Sequence, residues 1–206
     1  SSYLLGSISG AMIIGKLQGI DIRKLGSGNA GGTNAFRVMG AFYAFLVLSI
    51  DIIKGYIAVN IISLLKSNDM ILFQVINTEN IQIICGLAVV IGHIYPLFYG
   101  FKGGKGAGTM IGVLAALFPF GLFICFSVWL LIVIITGFVG LGTMTAGIIL
   151  PIATFMFYSN GIHSSFGAFT LIITLLIFYT HRQNIKRMLT GKENQFKKIM
   201  LFSKKK

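Results

Sequence analysis

Residues 107–136 read AGTMIGVLAALFPFGLFICFSVWLLIVIIT. The run is apolar almost throughout, so it belongs in lipid, but its length suits neither one crossing nor two. A helix spans the hydrocarbon core with about 20 residues, and this run is roughly half as long again. Pro119 and Gly121 interrupt it near the middle, and proline ends or kinks a helix unless a neighbour compensates. The run is either one long kinked helix or two short helices joined by a tight turn.

Charge decides between them. Further apolar spans lie near 3–17, 41–65, 81–99, 142–158 and 164–180. Splitting 107–136 into 107–118 and 120–136 makes seven. Cytoplasmic loops collect Lys and Arg. With seven spans, the 16–40 loop (Lys16, Arg23, Lys24, Arg37), the 100–106 loop (Lys102, Lys105) and the tail from Arg182 share one side. Lys66 falls opposite and Lys54 lies within a span. With six spans the basic tail would lie across the membrane from the other two clusters. The expected fold is therefore an all-α integral membrane protein with seven transmembrane helices, N-terminus outside and C-terminus cytoplasmic.

Composition places the chain in the same class. Its 206 residues are 55% hydrophobic and only 11% charged, with a mean hydropathy of +0.87; soluble domains carry roughly 25% charge. A signal peptide does not account for the pattern, because apolar segments continue to residue 180. The chain begins inside an apolar run (YLLGSISGAMIIG, 3–15), which predicts that more of a first helix precedes Ser1. Lys and Arg outnumber Asp and Glu 17 to 5. The aromatics lie within apolar runs and not between basic residues, so membrane orientation and anionic substrates explain the charge better than nucleic acid. Cys85 and Cys125 sit in apolar runs as packing residues. His93, His163 and His181 have no ligand-spaced partners, so no metal site and no cofactor are expected. Residues 1–193 form one polytopic domain. Residues 194–206 form a basic tail, amphipathic or disordered, with Phe196, Ile199, Met200 and Phe202 interleaved among lysines as on a membrane-surface helix.

The polar residues concentrate in three loops on the cytoplasmic side. The first, IRKLGSGNAGGTNAFRVMG (22–40), contains G-x-G-x-x-G from Gly26 to Gly31. That pattern means a dinucleotide fold only inside a βαβ unit, and here it lies between two spans. Its physics still applies: glycines let successive N–H groups converge on an anion. Ser27, Gly28, Asn29, Thr33 and Asn34 supply donors, and Arg37 a fork suited to phosphate. The competing reading is a polar turn with Arg37 facing headgroups. The second loop, GHIYPLFYGFKGGKGAGT (92–109), alternates Lys102 and Lys105 with Gly103, Gly104 and Gly106 just before a helix start, a place suited to anions. It is not a Walker loop, since Gly106 follows Lys105. His93, isolated there, reads more as a hydrogen-bonded structural residue than as a base. The third, HRQNIKRMLTGKENQFKK (181–198), ends the last span with His181, Arg182, Asn184 and Arg187. Snorkelling to headgroups explains its lysines but not Asn184 or Glu193.

Asp51 and Lys54, three apart in the second span, meet on one helix face. Intramembrane charges are functional candidates, yet a self-neutralising pair that packs helices is the favoured reading here. The cytoplasmic face has no carboxylate pair, nucleophilic elbow or motif cysteine, which argues against a covalent acyl-enzyme. Direct transfer between two bound anions, with the protein supplying position and positive potential, is what remains. A transporter of an organic phosphate is the alternative. Such proteins more often carry paired broken helices in two repeats, and no repeat is visible here.

GSGNAGGTNAFR (26–37), GHIYPLFYGFKGGKGAGT (92–109) and HRQNIKRMLTGKE (181–193) resemble the three signature motifs of the bacterial acyl-phosphate-dependent glycerol-3-phosphate acyltransferases. DIIKG (51–55) is similar to that family's second span. The resemblance implies transfer of a fatty acyl group from acyl phosphate to the 1-hydroxyl of glycerol 3-phosphate, giving lysophosphatidic acid and phosphate, the first step of phospholipid synthesis. It implies catalytic roles for Ser27, Arg37, His181 and Asn184. It also implies glycerol 3-phosphate binding by Lys102, Gly103, Gly104 and Lys105, and a structural role for Glu193. Membrane lipids and an upstream acyl-phosphate-forming enzyme are the implied partners, at the inner face of a bacterial cell membrane. The turn TGFVGLGT (136–143) departs from the family's Arg and Ser there, leaving Thr143 as its remaining substrate contact. His181, His93 and a substrate phosphate oxygen are all open as proton acceptor, with the last preferred because the face is poor in carboxylates.

Overall fold

In a computed structural model the chain folds into helices; residues 1–64, 77–196 and 200–201 are described, and no strand occurs among them. The chain forms two compact units, Ser1–Leu117 and Phe118–Lys206.

The first unit contains α1 (Ser2–Gly6), α2 (Gly10–Leu17), α3 (Gly32–Met39), α4 (Ala41–Asn60), α5 (Thr78–Ile94) and α6 (Ala107–Leu117). With the short turns that follow them, α4 and α5 give apolar stretches Ala41–Leu64 and Thr78–Tyr99, of 24 and 22 residues. The expected single helix over 3–17 is instead broken at 7–9. Ser7 Oγ donates to Tyr3 O (3.0 Å) and accepts from Leu97 N (3.1 Å), while Ser9 Oγ caps α2 by accepting from Met12 N. Serine competes with the helix ladder for backbone partners, and here Ser7 also holds a long-range donor, Leu97 N. Small residues let the helices close up: Gly6 and Gly92 seat α1 on α5, and Gly55 and Gly112 seat α4 on α6. A β-carbon at any of the four would collide with backbone across the interface, the packing that membrane helices use in place of a hydrophobic driving force.

The second unit contains α7 (Pro119–Thr136), α8 (Val139–Phe157), α9 (Ser165–Thr180) and α10 (Arg182–Leu189). The expected split of 107–136 is present: Phe118 leaves helical geometry (φ −151°, ψ 70°) and Pro119 opens α7, where its missing N–H costs nothing. Pro151 lies inside α8 and deprives Gly147 O of its helical donor. Phe118, Tyr158, Phe166 and Phe169 stack into an aromatic core with ring centroids 4.4–5.8 Å apart.

Among the described residues, four helical stretches have the length and hydropathy of a membrane crossing, and α9 with α10, bent by 51°, would make a fifth. α6 is apolar but short, at 11 residues. Lys66, Lys197, Lys198, Ile199, Phe202 and Lys204 to Lys206 lie outside the described residues. The tail just before them is non-helical over 192–196 and pairs with the end of α7: Phe196 N donates to Gly137 O (2.9 Å) and Leu201 N to Ile134 O (3.2 Å).

Candidate active site

The first loop is organised from within by one side chain. Asn34 is 1% exposed. Its Oδ1 accepts from Ser27 N (2.8 Å), and its Nδ2 donates to Ile22 O (3.2 Å) and Leu25 O (3.0 Å). All its hydrogen-bonding capacity toward the chain goes into shaping residues 22–27. Gly26 and Gly28 follow with φ of +59° and +73°, conformations that only glycine adopts cheaply. Ile22, Ala30 and Ala35 are fully buried against Ala11 and Val47 and anchor the loop to α2 and α4. Gly31 then caps α3 in extended conformation with no side-chain bond, and the first-turn amides of a helix have no partner within it. Thr33 and Arg37, four apart on α3, share a face and are both half-buried.

The second loop is pinned to the end of α5. Gly103 N donates to Ile94 O and Gly104 N to His93 O, both at 3.1 Å. A β-carbon on Gly103 would strike Pro96 Cδ at 2.5 Å and Ile94 O at 2.9 Å, so the pairing demands glycine. Gly100 and Phe101 are both left-handed (φ +65° and +58°). For phenylalanine this conformation costs about 1–2 kcal/mol; the Phe101 N bond to Pro96 O (3.0 Å) helps hold the turn. Lys102 is exposed and Lys105 half-buried beside the start of α6.

The two loops meet. A β-carbon on Gly104 would lie 2.6 Å from Ala30 O, so the second loop crosses the first at van der Waals range. The Leu48 side chain of α4 lies within 3.6 Å of the position a β-carbon would take on Gly32, and within 3.2 Å of that on Gly108. The N-terminal turns of α3 and α6 therefore flank one side chain. Two helix N-termini, each carrying about half a positive charge, converge with Thr33, Arg37, Lys102 and Lys105 in the surrounding segments.

A salt link missed by the sequence reading ties the loops again. Arg23 grips Asp21 through Nε and Nη2 (both 3.0 Å) and donates from Nη1 to Tyr99 O (3.1 Å). The Arg23 hydrogen bonds hold the Asp21 carboxyl below the usual carboxylate range. Two charges two residues apart look like any solvated pair in sequence; the partner 76 residues away leaves no trace there.

Asp51 and Lys54 face each other beneath this junction, Nζ to Oδ1 3.0 Å, each 3% exposed. Lys54 also donates to Gly6 O (2.9 Å) and Ile8 O (2.7 Å), two carbonyls at the α1–α2 break, and contacts His93 Nδ1 at 2.9 Å. Lys54 thus supplies donors to the two carbonyls at the break between α1 and α2.

In the second unit His181 is buried, and its Nδ1 lies 2.8 Å from Ile177 O. A carbonyl only accepts, so Nδ1 carries a proton and donates it to Ile177 O. Asn184 Nδ2 donates to Glu193 Oε1 (3.0 Å) and Arg187 Nε to Glu193 Oε2 (2.8 Å), making Glu193 the brace of the third motif. Gly140 leaves room for Asn184: a β-carbon there would sit 2.8 Å from Nδ2. Thr143 Oγ1 donates to Val139 O (3.0 Å) within its own helix.

The chain matches a family model described as glycerol-3-phosphate acyltransferase over residues 1–191. Among similar proteins is the glycerol-3-phosphate acyltransferase of Chlorobium phaeobacteroides, 39% identical and covering 95% of this chain and 94% of that one. That of Chlorobaculum tepidum is 40% identical, covering 94% and 93%. The crystal structure of PlsY (YgiH), an integral membrane glycerol 3-phosphate acyltransferase, in its glycerol 3-phosphate form superposes with a TM-score of 0.81. It is 39% identical, covering 95% and 92% of the two chains. The lysophosphatidic acid form of the same enzyme gives 0.78 at 38% identity, covering 95% and 91%.

Proposed function

The chain belongs to the glycerol-3-phosphate acyltransferase family, and from that premise we propose how its residues carry out the reaction. It is an acyltransferase that acylates glycerol 3-phosphate to lysophosphatidic acid, in keeping with the forms in which its structural relative was crystallised. Our reading takes acyl phosphate as the donor. The donor's tail stays in the bilayer and its phosphate sits at the glycine nest around Ser27, Gly28, Asn29 and Thr33. Glycerol 3-phosphate enters from the cytoplasm and is held by Lys102, Gly103, Gly104 and Lys105. An acyl-phosphate-forming enzyme supplies the donor.

The 1-hydroxyl oxygen attacks the acyl carbonyl carbon. The carbon–oxygen bond to phosphorus breaks, and inorganic phosphate leaves with the electron pair. The hydroxyl proton passes to a phosphate oxygen of a substrate. No covalent enzyme intermediate is needed, because phosphate is already a good leaving group. Arg37 and the α3 amides stabilise the charge that builds on the leaving phosphate. Asn34 shapes the nest from behind and does not contact substrate. His181 and Asn184, in the third family motif, are assigned to the transfer, with Glu193 holding Asn184 in place. The topology that goes with this reading has seven spans, the N-terminus outside and the motif loops cytoplasmic.

The approach of the α3 and α6 N-termini to Leu48, with Gly104 against Ala30, is the single observation that supports the reading, since the two loops assigned to the two phosphates lie against each other. One assay tests it. Purified protein receives labelled glycerol 3-phosphate with acyl phosphate, acyl-carrier protein or acyl-CoA as donor. Product with acyl phosphate alone is expected; equal turnover with the thioesters refutes the donor assignment. Cysteines placed at Lys102 and Arg182 should both react with an impermeant thiol reagent only from the cytoplasmic side, and labelling of either from outside refutes the topology.

A further inference from the structure

The scheme above gives His93 no task, although this buried ring sits where the two loops cross. An ammonium can only donate, so the 2.9 Å contact from Lys54 Nζ requires His93 Nδ1 to accept. Lys54 then spends its three protons on Gly6 O, Ile8 O and His93 Nδ1. Asp51 Oδ1 lies 3.0 Å from Nζ and 3.4 Å from His93 Nδ1 but has no hydrogen-bond partner, as expected if Nδ1 carries no proton to give it. An imidazole that accepts at Nδ1 carries its proton on Nε2. Nε2 lies against the α-carbon of Gly104: a β-carbon there would collide with Nε2 as well as with Ala30 O. The tip of the His93 ring thus packs on the Gly104 α-carbon, where the second loop meets the first. The same assignment removes His93 from the candidate bases, because Nε2 is already protonated.

We propose that His93 is a positioning residue for acyl transfer: Lys54 fixes its ring through Nδ1, and the far edge of that ring, packed on Gly104, keeps the Lys102–Lys105 loop seated for glycerol 3-phosphate. The proposal rests on the reading that this loop holds the acceptor phosphate. Its consequence is that the acceptor, and not the donor, senses His93.

The test compares two polar replacements in the purified full-length protein. His93→Gln places an amide nitrogen near the Nε2 position; His93→Asn reaches only as far as Nδ1. KM for glycerol 3-phosphate and for acyl phosphate are measured separately, with the melting temperature of each variant. The Gln variant should keep its acceptor KM within about threefold. The Asn variant should raise it by about tenfold or more, with the donor KM changed less than about twofold. Equal acceptor KM in the two variants, or loss of the melting transition in the Asn variant, overturns the proposal. Lys102→Ala and Lys105→Ala are run in parallel. An unchanged acceptor KM in both refutes the role of the loop itself; a raised KM there, with Asn and Gln behaving alike, refutes only the assignment to His93.

Discussion

Thr174 Oγ1 lies 2.7 Å from Gly147 O, the carbonyl that Pro151 leaves without its helical donor. The hydroxyl also lies 2.8 Å from Thr170 O of its own helix, so its one proton is shared between that carbonyl and the one that the proline frees in α8. Thr174→Val keeps the shape and removes the donor. It should destabilise the protein by about 1–2 kcal/mol, while Thr174→Ser stays near the parent. Thermal melting in detergent micelles measures both. A Val variant as stable as the parent would mean the carbonyl finds another partner.

Lys54 differs from an ordinary buried ion-pair partner because it also serves two backbone carbonyls. Lys54→Met should cost about 3–5 kcal/mol, the usual penalty for stranding a buried charge. In a simple pair, neutralising Asp51 as well would recover most of that loss. Here Asp51→Leu with Lys54→Met should recover only part, because Gly6 O and Ile8 O still lack a donor. Full recovery of the melting temperature would show the helix break needs no such support.

The Asp21–Arg23 link has a defined pH signature. Arg23 lowers the Asp21 pKa in the folded state, so the carboxylate favours folding wherever it is ionised. That contribution is fully present above the ordinary carboxylate value near about 3.9. It disappears as pH falls through the lowered folded value. The melting temperature of the parent relative to Asp21→Asn should therefore be constant from neutral pH down to about pH 4 and converge below it. A difference that instead changes between pH 6 and pH 8 would point to another titrating group.

Ser27→Ala and Arg37→Ala test the nest directly. Each should lower kcat/KM by about a hundredfold or more, as expected for groups aimed at developing charge, with melting temperatures near the parent's. Full activity in either purified variant would remove that residue from the reaction.

The helices were legible because a membrane leaves little choice: long apolar runs must be helical, and Pro119 marked where one run divides. The break at residues 7–9 was not. Gly6, Ser7 and Ser9 are compatible with an unbroken helix, and what supports the break is Lys54, more than 40 residues away. The site shows the same division. Glycine spacing and the lysines singled out the two loops, and the structure adds that they touch, Gly104 of one against Ala30 of the other. The sequence could not show that the Asn34 amide is taken up by the backbone of residues 22–27, so Asn34 read like Ser27 and Asn29. It also gave no hint that Arg23 reaches Tyr99, because pairing across two loops depends on the helices beneath them.

The Lys54 network also bears on how the protein is made. Asp51 and the carbonyls of Gly6 and Ile8 all precede Lys54 in the chain, and only His93 follows. When α4 leaves the translocon its ammonium already has an anion and two dipoles to bind, so this charge can partition into the bilayer during synthesis without waiting for α5.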